Sequence, residues 1–196
     1  RSRGLGDVYK RQVMEDGRIF EHEHGPRGGD EFNLIEPGKN YGWPAITYGI
    51  DYSGAVISPF TEMDGMEQPL KYWVPSIAPS DMIYYDGDLY PELKNSFLVT
   101  ALKSRDVKQI KKINSLFSEK SIFSNLKSRL RSIGISPSGE MYLLTDGRKG
   151  KLLKVKGLIK TKNLVESINI NTSDQNEISS TLKEIRKVKV CLLYTS

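Results

Sequence analysis

Residues 24–31 read HGPRGGDE and residues 38–44 read GKNYGWP, and these two loops decide how the chain folds. Glycines and a proline at positions 25–29 are incompatible with a helix or a central strand, because glycine permits positive φ and proline removes a backbone donor. The first loop ends in two adjacent acids, Asp30 and Glu31. A rigid loop rich in carbonyl and carboxylate oxygens suits a hard cation such as calcium. The same acids would also serve as ordinary turn residues.

Short apolar or alternating segments follow these loops and are separated by turn signals such as PSG and DGRKG. This spacing is typical of an all-β sandwich, barrel or propeller. A weak internal echo between residues 16–20 (DGRIF) and 138–142 (SGEMY) favours a repeated, blade-like unit. The predicted strands cover residues 17–22, 32–35, 81–85, 96–102, 107–113, 120–123, 131–136, 140–145 and 151–156.

Four segments together carry a family resemblance: residues 23–31, 38–44, 73–80 (WVPSIAPS) and 143–146 (LLTD). In this order they resemble the soluble quinoprotein glucose/sorbosone dehydrogenases, also called PQQ-dependent aldose sugar dehydrogenases. The resemblance covers roughly residues 16–156. It implies a partial piece, about three blades, of a six-bladed β-propeller, with a polar C-terminal appendage.

The expected organisation places the partial propeller at residues 13–156. Residues 1–12 and 191–196 resemble translated sequencing-adaptor sequence and are set apart as foreign, and residues 157–190 are expected to be an appendage with one helix at 174–188. The single cysteine, Cys191, excludes an internal disulfide framework. No apolar run approaches the roughly 20 residues that span a bilayer. The net charge of +5 fits either ordinary surface charge or attraction to anionic ligands, and we expect no nucleic-acid partner.

Three basic residues are candidates for anion binding. Arg129 and Arg131 are two residues apart, so on an extended chain both lie on one face, about 7 Å apart. Two such guanidiniums repel each other unless an anion lies between them, although solvated charges at a strand edge would give the same spacing. The resemblance implies that these arginines and Lys103 hold the carboxylates of PQQ. It also implies that the hydroxyl of Ser76 lies against that cofactor.

The resemblance also implies two calcium sites. The carbonyl groups of Gly25 and Pro26 would ligate the Ca²⁺ bound with PQQ. Glu31, together with the carbonyl of Tyr41, would hold a second, structural Ca²⁺, and Asp30 would be a ligand or a supporting carboxylate. The sequence has no EF-hand spacing.

The expected function is that of the C-terminal part of an enzyme that oxidises the anomeric carbon of an aldose to a lactone and passes electrons to an acceptor. Histidine suits the general base of such a step, but His22 and His24 do not match the family's position for it. We therefore expect no catalytic residue and no turnover in this chain. The alternative is a non-catalytic propeller that binds carbohydrate or protein through its aromatic loop. By resemblance, the protein would be periplasmic or secreted, and the full-length form a possible homodimer.

Overall fold

A computed structural model describes residues 10–159 and 162–168 of the chain. These residues form three four-stranded sheets, in which each strand pairs antiparallel with the next along the chain. The first sheet contains β1 (Arg11–Val13), β2 (Ile19–Glu23), β3 (Asp30–Ile35) and β4 (Lys71–Trp73). The second contains β5 (Pro79–Tyr85), β6 (Ser96–Ala101), β7 (Val107–Ile113) and β8 (Leu116–Ile122). The third contains β9 (Leu130–Ile135), β10 (Met141–Thr145), β11 (Leu152–Ile159) and β12 (Lys162–Ile168), and short 3₁₀ helices occur at Pro91–Leu93 and Ser124–Leu126.

The second sheet lies between the other two and packs against both. All six residues of β6 are buried, and because side chains of a strand alternate between its faces, they feed two separate cores. Phe97 and Val99 pack with residues of the first sheet, such as Phe32. Leu98 lies in the second core, which includes Leu143 of the third sheet.

The first strands of the three sheets lie side by side, since β5 contacts both β1 and β9. Each sheet then runs outward from that strand as a meander, which is the arrangement of propeller blades. The prediction of an all-β, partial propeller of about three blades is therefore confirmed.

Several strands differ from the predicted ones in length. The predicted short strand at 120–123 is seven residues long, because Leu116–Ile122 pairs along the whole of β7 through a tight turn at Asn114, where φ is 56°. Strands β1, β4 and β12 were not predicted. The boundary expected at residue 156 falls inside β11, and the β11–β12 hairpin extends the third sheet beyond it.

The expected terminal segments are only partly described. Arg11 and Gln12, which were set apart as foreign, lie in β1 and pair with β2. Backbone pairing at a sheet edge does not depend on the side chains, so a foreign origin for residues 1–12 stays a prediction. The helix expected at 174–188 and the segment 191–196 lie outside the described residues. Within the described part of the chain, no helix is long and apolar enough to cross a membrane.

Candidate functional site

Apart from Tyr41, the predicted site residues lie at one end of the three sheets. Tyr41 lies in the connection between β3 and β4, which leaves β3 from its other end. In these meanders, the even-numbered strands end where the odd-numbered strands begin. The connections that follow the even-numbered strands therefore all lie at this end of the sheets. The five connections at this end carry residues 24–29, 74–78, 102–106, 123–129 and 146–151. Segments that are up to about 120 residues apart in the sequence thus lie on one face of the fold.

Asp30 joins two of these connections. Its carboxylate is fully buried. It accepts hydrogen bonds from the backbone N–H groups of Gly25 (2.9 Å), Ile77 (2.7 Å) and Ala78 (2.8 Å), and from the hydroxyl of Ser76 (2.5 Å). A buried carboxylate with this many donors is well satisfied. Asp30 therefore holds the glycine-rich loop against the segment after β4, and the Ser76 hydroxyl donates to Asp30.

Two glycines of the glycine-rich loop are packed too tightly to be replaced by residues with a side chain. A Cβ at Gly25 would lie 2.0 Å from the carbonyl oxygen of Gly28. Gly29 has φ of 72°, and a Cβ there would lie 2.6 Å from the backbone nitrogen of Gly49. The sequence pattern reflects this close approach of backbone to backbone, which only glycine permits.

An acidic cavity of about 170 Å³ lies beside this loop and brings together Glu31, Gly25 and Tyr41 with a second acid, Glu23. Glu23 and Glu31 are direct cross-strand partners on β2 and β3. Burial, reinforced by the Glu23 carboxylate, raises the pKa of Glu31 to about 7, against the opposing hydrogen bond from Asn33. Such a cavity favours a cation, because a positive charge would relieve the repulsion between the two acids.

The ligands of such a cation would include backbone oxygens. Within the described residues, no three or more His, Cys, Asp or Glu side chains converge in a metal-binding arrangement. Tyr41 is fixed by its hydroxyl, which donates to the carbonyl of Leu34 (2.7 Å) and accepts from the N–H of Glu36 (2.8 Å). Carboxylates mixed with carbonyl oxygens and water are ligands that calcium accepts.

Arg129 and Arg131 converge on Asp146. The Nε of Arg129 lies 2.8 Å from one carboxylate oxygen, and the Nη2 of Arg131 lies 2.8 Å from the other. Hydrogen bonds from both guanidiniums, Arg131 first, hold the pKa of Asp146 below its usual range. Both arginines remain about half exposed, at 50% and 49%. From the sequence alone, Asp146 is evident only as part of the LLTD motif.

Lys103 lies in a different place from the arginine pair. It is exposed and, with Ser76, lines a cavity of about 750 Å³ that runs between β4 and β8. Its backbone N–H donates to the carbonyl of Ile77 (2.9 Å), which links this connection to the segment held by Asp30. The structure thus places Lys103 and Ser76 together, and Arg129 and Arg131 together, on the same face of the sheets.

The two histidines have separate environments. His24 is exposed, and its Nε2 contacts the carbonyl of Pro79. His22 is fully buried in β2, opposite Phe32 of β3. His24 alone therefore faces the acidic cavity beside Glu23.

Sequence reasoning missed Glu23 and Asp146 as parts of the site. The signal for both is strand pairing. Glu23 is the last residue of β2 and faces Glu31. Asp146 follows Thr145, which pairs with Leu130, the residue between the two arginines.

Comparison with known proteins identifies the family. The family model described as Glucose / Sorbosone dehydrogenase matches residues 3–154, a range that includes most of the segment set apart as foreign. Aldose sugar dehydrogenase YliI of Escherichia coli (strain K12) is 42% identical over 141 residues, which are 70% of this chain and 38% of that protein.

Solved structures of related proteins have a similar fold. A crystal structure of a glucose dehydrogenase has a TM-score of 0.69 and 42% identity, and the match covers 74% of this chain and 43% of that one. The PQQ-bound aldose sugar dehydrogenase of Streptomyces coelicolor, at a TM-score of 0.53, 22% identity and coverage of 74% and 41%, shares the fold. The chain spans about two fifths of the length of these relatives. The chain belongs to the glucose/sorbosone dehydrogenase family.

Proposed function

We propose that this chain forms part of a PQQ- and calcium-dependent enzyme that oxidises the anomeric carbon of an aldose to a lactone. The observation that supports this most is the collection of the glycine-rich loop, Lys103 and the arginine pair at one end of the sheets. The E. coli relative is an aldose sugar dehydrogenase by name, and the Streptomyces structure is described as PQQ-bound. Aldose oxidation and PQQ are carried from those proteins to this chain as a proposal.

The arginine pair fits a planar carboxylate ligand. Two guanidiniums share the single carboxylate of Asp146, so the group keeps one net positive charge. Arg129 uses its Nε in this contact, and among the described residues its two terminal nitrogens form no hydrogen bond. Arginine binds carboxylates through such terminal N–H groups. Arg129, Arg131 and Lys103 would hold the carboxylates of PQQ.

The loop next to Asp30 fits a calcium ion. In the proposed site the Gly25 and Pro26 carbonyls would bind the Ca²⁺ that accompanies PQQ, and Glu31 with the Tyr41 carbonyl would bind a structural Ca²⁺. The cavity beside Glu31 is large enough for an ion with several waters. The raised pKa of Glu31 supports the second site, because a buried acid without a cation holds its proton more strongly.

When bound, PQQ would supply the acceptor for the hydride that leaves the sugar. The hydroxyl proton needs a separate base. His24 contacts the Pro79 carbonyl and His22 is buried, so neither is placed as that base in our proposal. We therefore expect this chain on its own to show no turnover.

The proposed activity is tested on the longest natural chain that carries this sequence. That protein would be incubated with PQQ, CaCl₂, an aldose and an artificial electron acceptor, and the lactone would be measured directly. We expect lactone formation that requires both PQQ and Ca²⁺. Lactone formation without PQQ, or none with both added, would contradict the proposal.

A binding function remains the second candidate, because the loop between β3 and β4 exposes large aromatic side chains. Trp43 is 58% exposed and Tyr52 is 76% exposed. Aromatic faces pack well against sugar rings. Retarded migration of the chain in gels that contain a polysaccharide, lost in Trp43→Ala, would favour this function if PQQ binding is absent.

The remaining expectations also come from the family. We expect a periplasmic or secreted location, transfer of electrons to an external acceptor, and a possible homodimer of the full-length protein. Fractionation of the native host and sedimentation of the purified protein would test the first and the last.

A further inference from the structure

Asp146 is the common partner of both arginines. Its Oδ2 accepts from Arg129 Nε at 2.8 Å, and its Oδ1 accepts from Arg131 at 3.1 Å (Nε) and 2.8 Å (Nη2). Its own backbone N–H donates to the carbonyl of Arg129 at 2.8 Å. The side chain and the main chain of Asp146 therefore both act on the start of β9.

The exposures of the three side chains show which way the cluster faces. The Asp146 side chain is 24% exposed, and the two arginines are about half exposed. The carboxylate thus lies beneath the guanidiniums, and the guanidinium nitrogens that do not contact it (the outer nitrogens) face solvent. Because it neutralises one of two like charges, the pair can stay side by side without a bound anion.

We propose that Asp146 is a positioning residue, which aligns Arg129 and Arg131 so that their outer N–H groups meet a planar polycarboxylate ligand. This inference rests on the proposed function, in which that ligand is PQQ. Asp146 does not touch the ligand and acts through the two arginines. An arginine is most selective for carboxylates when its fork is held in one orientation.

Charge and orientation predict opposite effects when Asp146 is replaced. Asp146→Asn adds one net positive charge to the cluster, so a purely electrostatic role predicts tighter binding of an anion. A positioning role predicts weaker binding, because the amide holds the guanidiniums less strongly than the carboxylate does. The sign of the change in affinity therefore separates the two roles.

The test is a titration of the full-length protein that contains this sequence with PQQ in the presence of Ca²⁺. Quenching of protein fluorescence measures the binding, so no turnover is needed. We expect D146N to bind PQQ about tenfold more weakly than wild type, a loss of the size that supporting residues of a ligand shell cause. We also expect its affinity to depend more steeply on salt, since one anion is missing. Asp64→Asn, which changes the net charge equally in an exposed loop far along the chain, should bind as wild type does.

Asp146→Glu keeps the charge but moves the carboxylate by one methylene, so we expect an intermediate loss. If thermal unfolding shows that D146N does not fold, the titration is done with D146E instead. Wild-type or tighter affinity in the folded variants would overturn the positioning role while leaving the proposed function intact. If wild-type protein does not bind PQQ at all, the proposed function fails and this inference fails with it.

Discussion

Calcium binding in the acidic cavity should depend on pH, because Glu31 has to lose its proton before it can bind the ion. Burial raises the pKa of Glu31 to about 7. Proton and calcium then compete for one carboxylate, so the affinity should fall about tenfold between pH 8 and pH 6. A carboxyl group with an ordinary pKa would give almost no change in this range.

The same pKa shift affects the stability of the calcium-free protein. A raised carboxyl pKa means that the folded state binds more protons than the unfolded state between the usual value of 4.5 and about 7. The Glu31 contribution therefore lowers the free energy of unfolding as the pH rises through this window, by at most about 3 kcal/mol. Glu31→Gln removes the charge, so the metal-free variant should be more stable than wild type at pH 8 and similar to it at pH 4.

Calorimetric titration with CaCl₂ at pH 6, 7 and 8 measures the first effect, and urea denaturation in the presence of a chelator measures the second. Glu31→Gln should lose the calcium affinity. Glu36→Gln, at an exposed acid just after β3, should keep both the affinity and its pH dependence. Calcium affinity that is constant from pH 6 to pH 8, or unchanged in Glu31→Gln, would refute the reasoning.

Two further predictions concern stability. Asp30→Ala removes the carboxylate acceptor of three backbone N–H groups, of which those of Gly25 and Ile77 are buried, so we expect a loss of roughly 3 kcal/mol or more in urea denaturation. A loss below about 1 kcal/mol would show that Asp30 does not hold the two loops together. Phe32 is fully buried and packs against Phe20 and Phe97, so Phe32→Ala should cost about 3–5 kcal/mol. Tyr52→Ala, at a 76% exposed side chain, should change the free energy of unfolding by no more than about 0.5 kcal/mol, and equal effects of the two substitutions would contradict the assigned core.

Local sequence patterns were sufficient to predict strands whose burial is visible in their own residues. The bounds of β6 and β7 were predicted within one residue. Strand β6 is buried on both faces, and this burial appears in the sequence as a continuous apolar run. Strand β4 leaves no such trace. It has three residues, and it forms because it pairs with Asp30–Phe32, about forty residues earlier in the chain.

The same limit applies to the site. The glycine-rich loop could be located from composition, but the role of Asp30 could not, since its donors at Ser76, Ile77 and Ala78 are 46 to 48 residues away. The spacing of the two arginines predicted that they lie on one face, and Asp146, from the end of β10, lies between them. Binding of a ligand carboxylate by this pair stays a prediction.

In the proposed enzyme, basic side chains from separate connections form one anion-binding face with the glycine-rich loop. The most direct measurement is the dissociation constant of PQQ, with Ca²⁺ present, for wild-type protein and for the variant in which Lys103, Arg129 and Arg131 are all alanine. Loss of three charge-assisted contacts should weaken binding at least about a thousandfold. A triple variant that folds and binds PQQ as tightly as wild type would contradict the account.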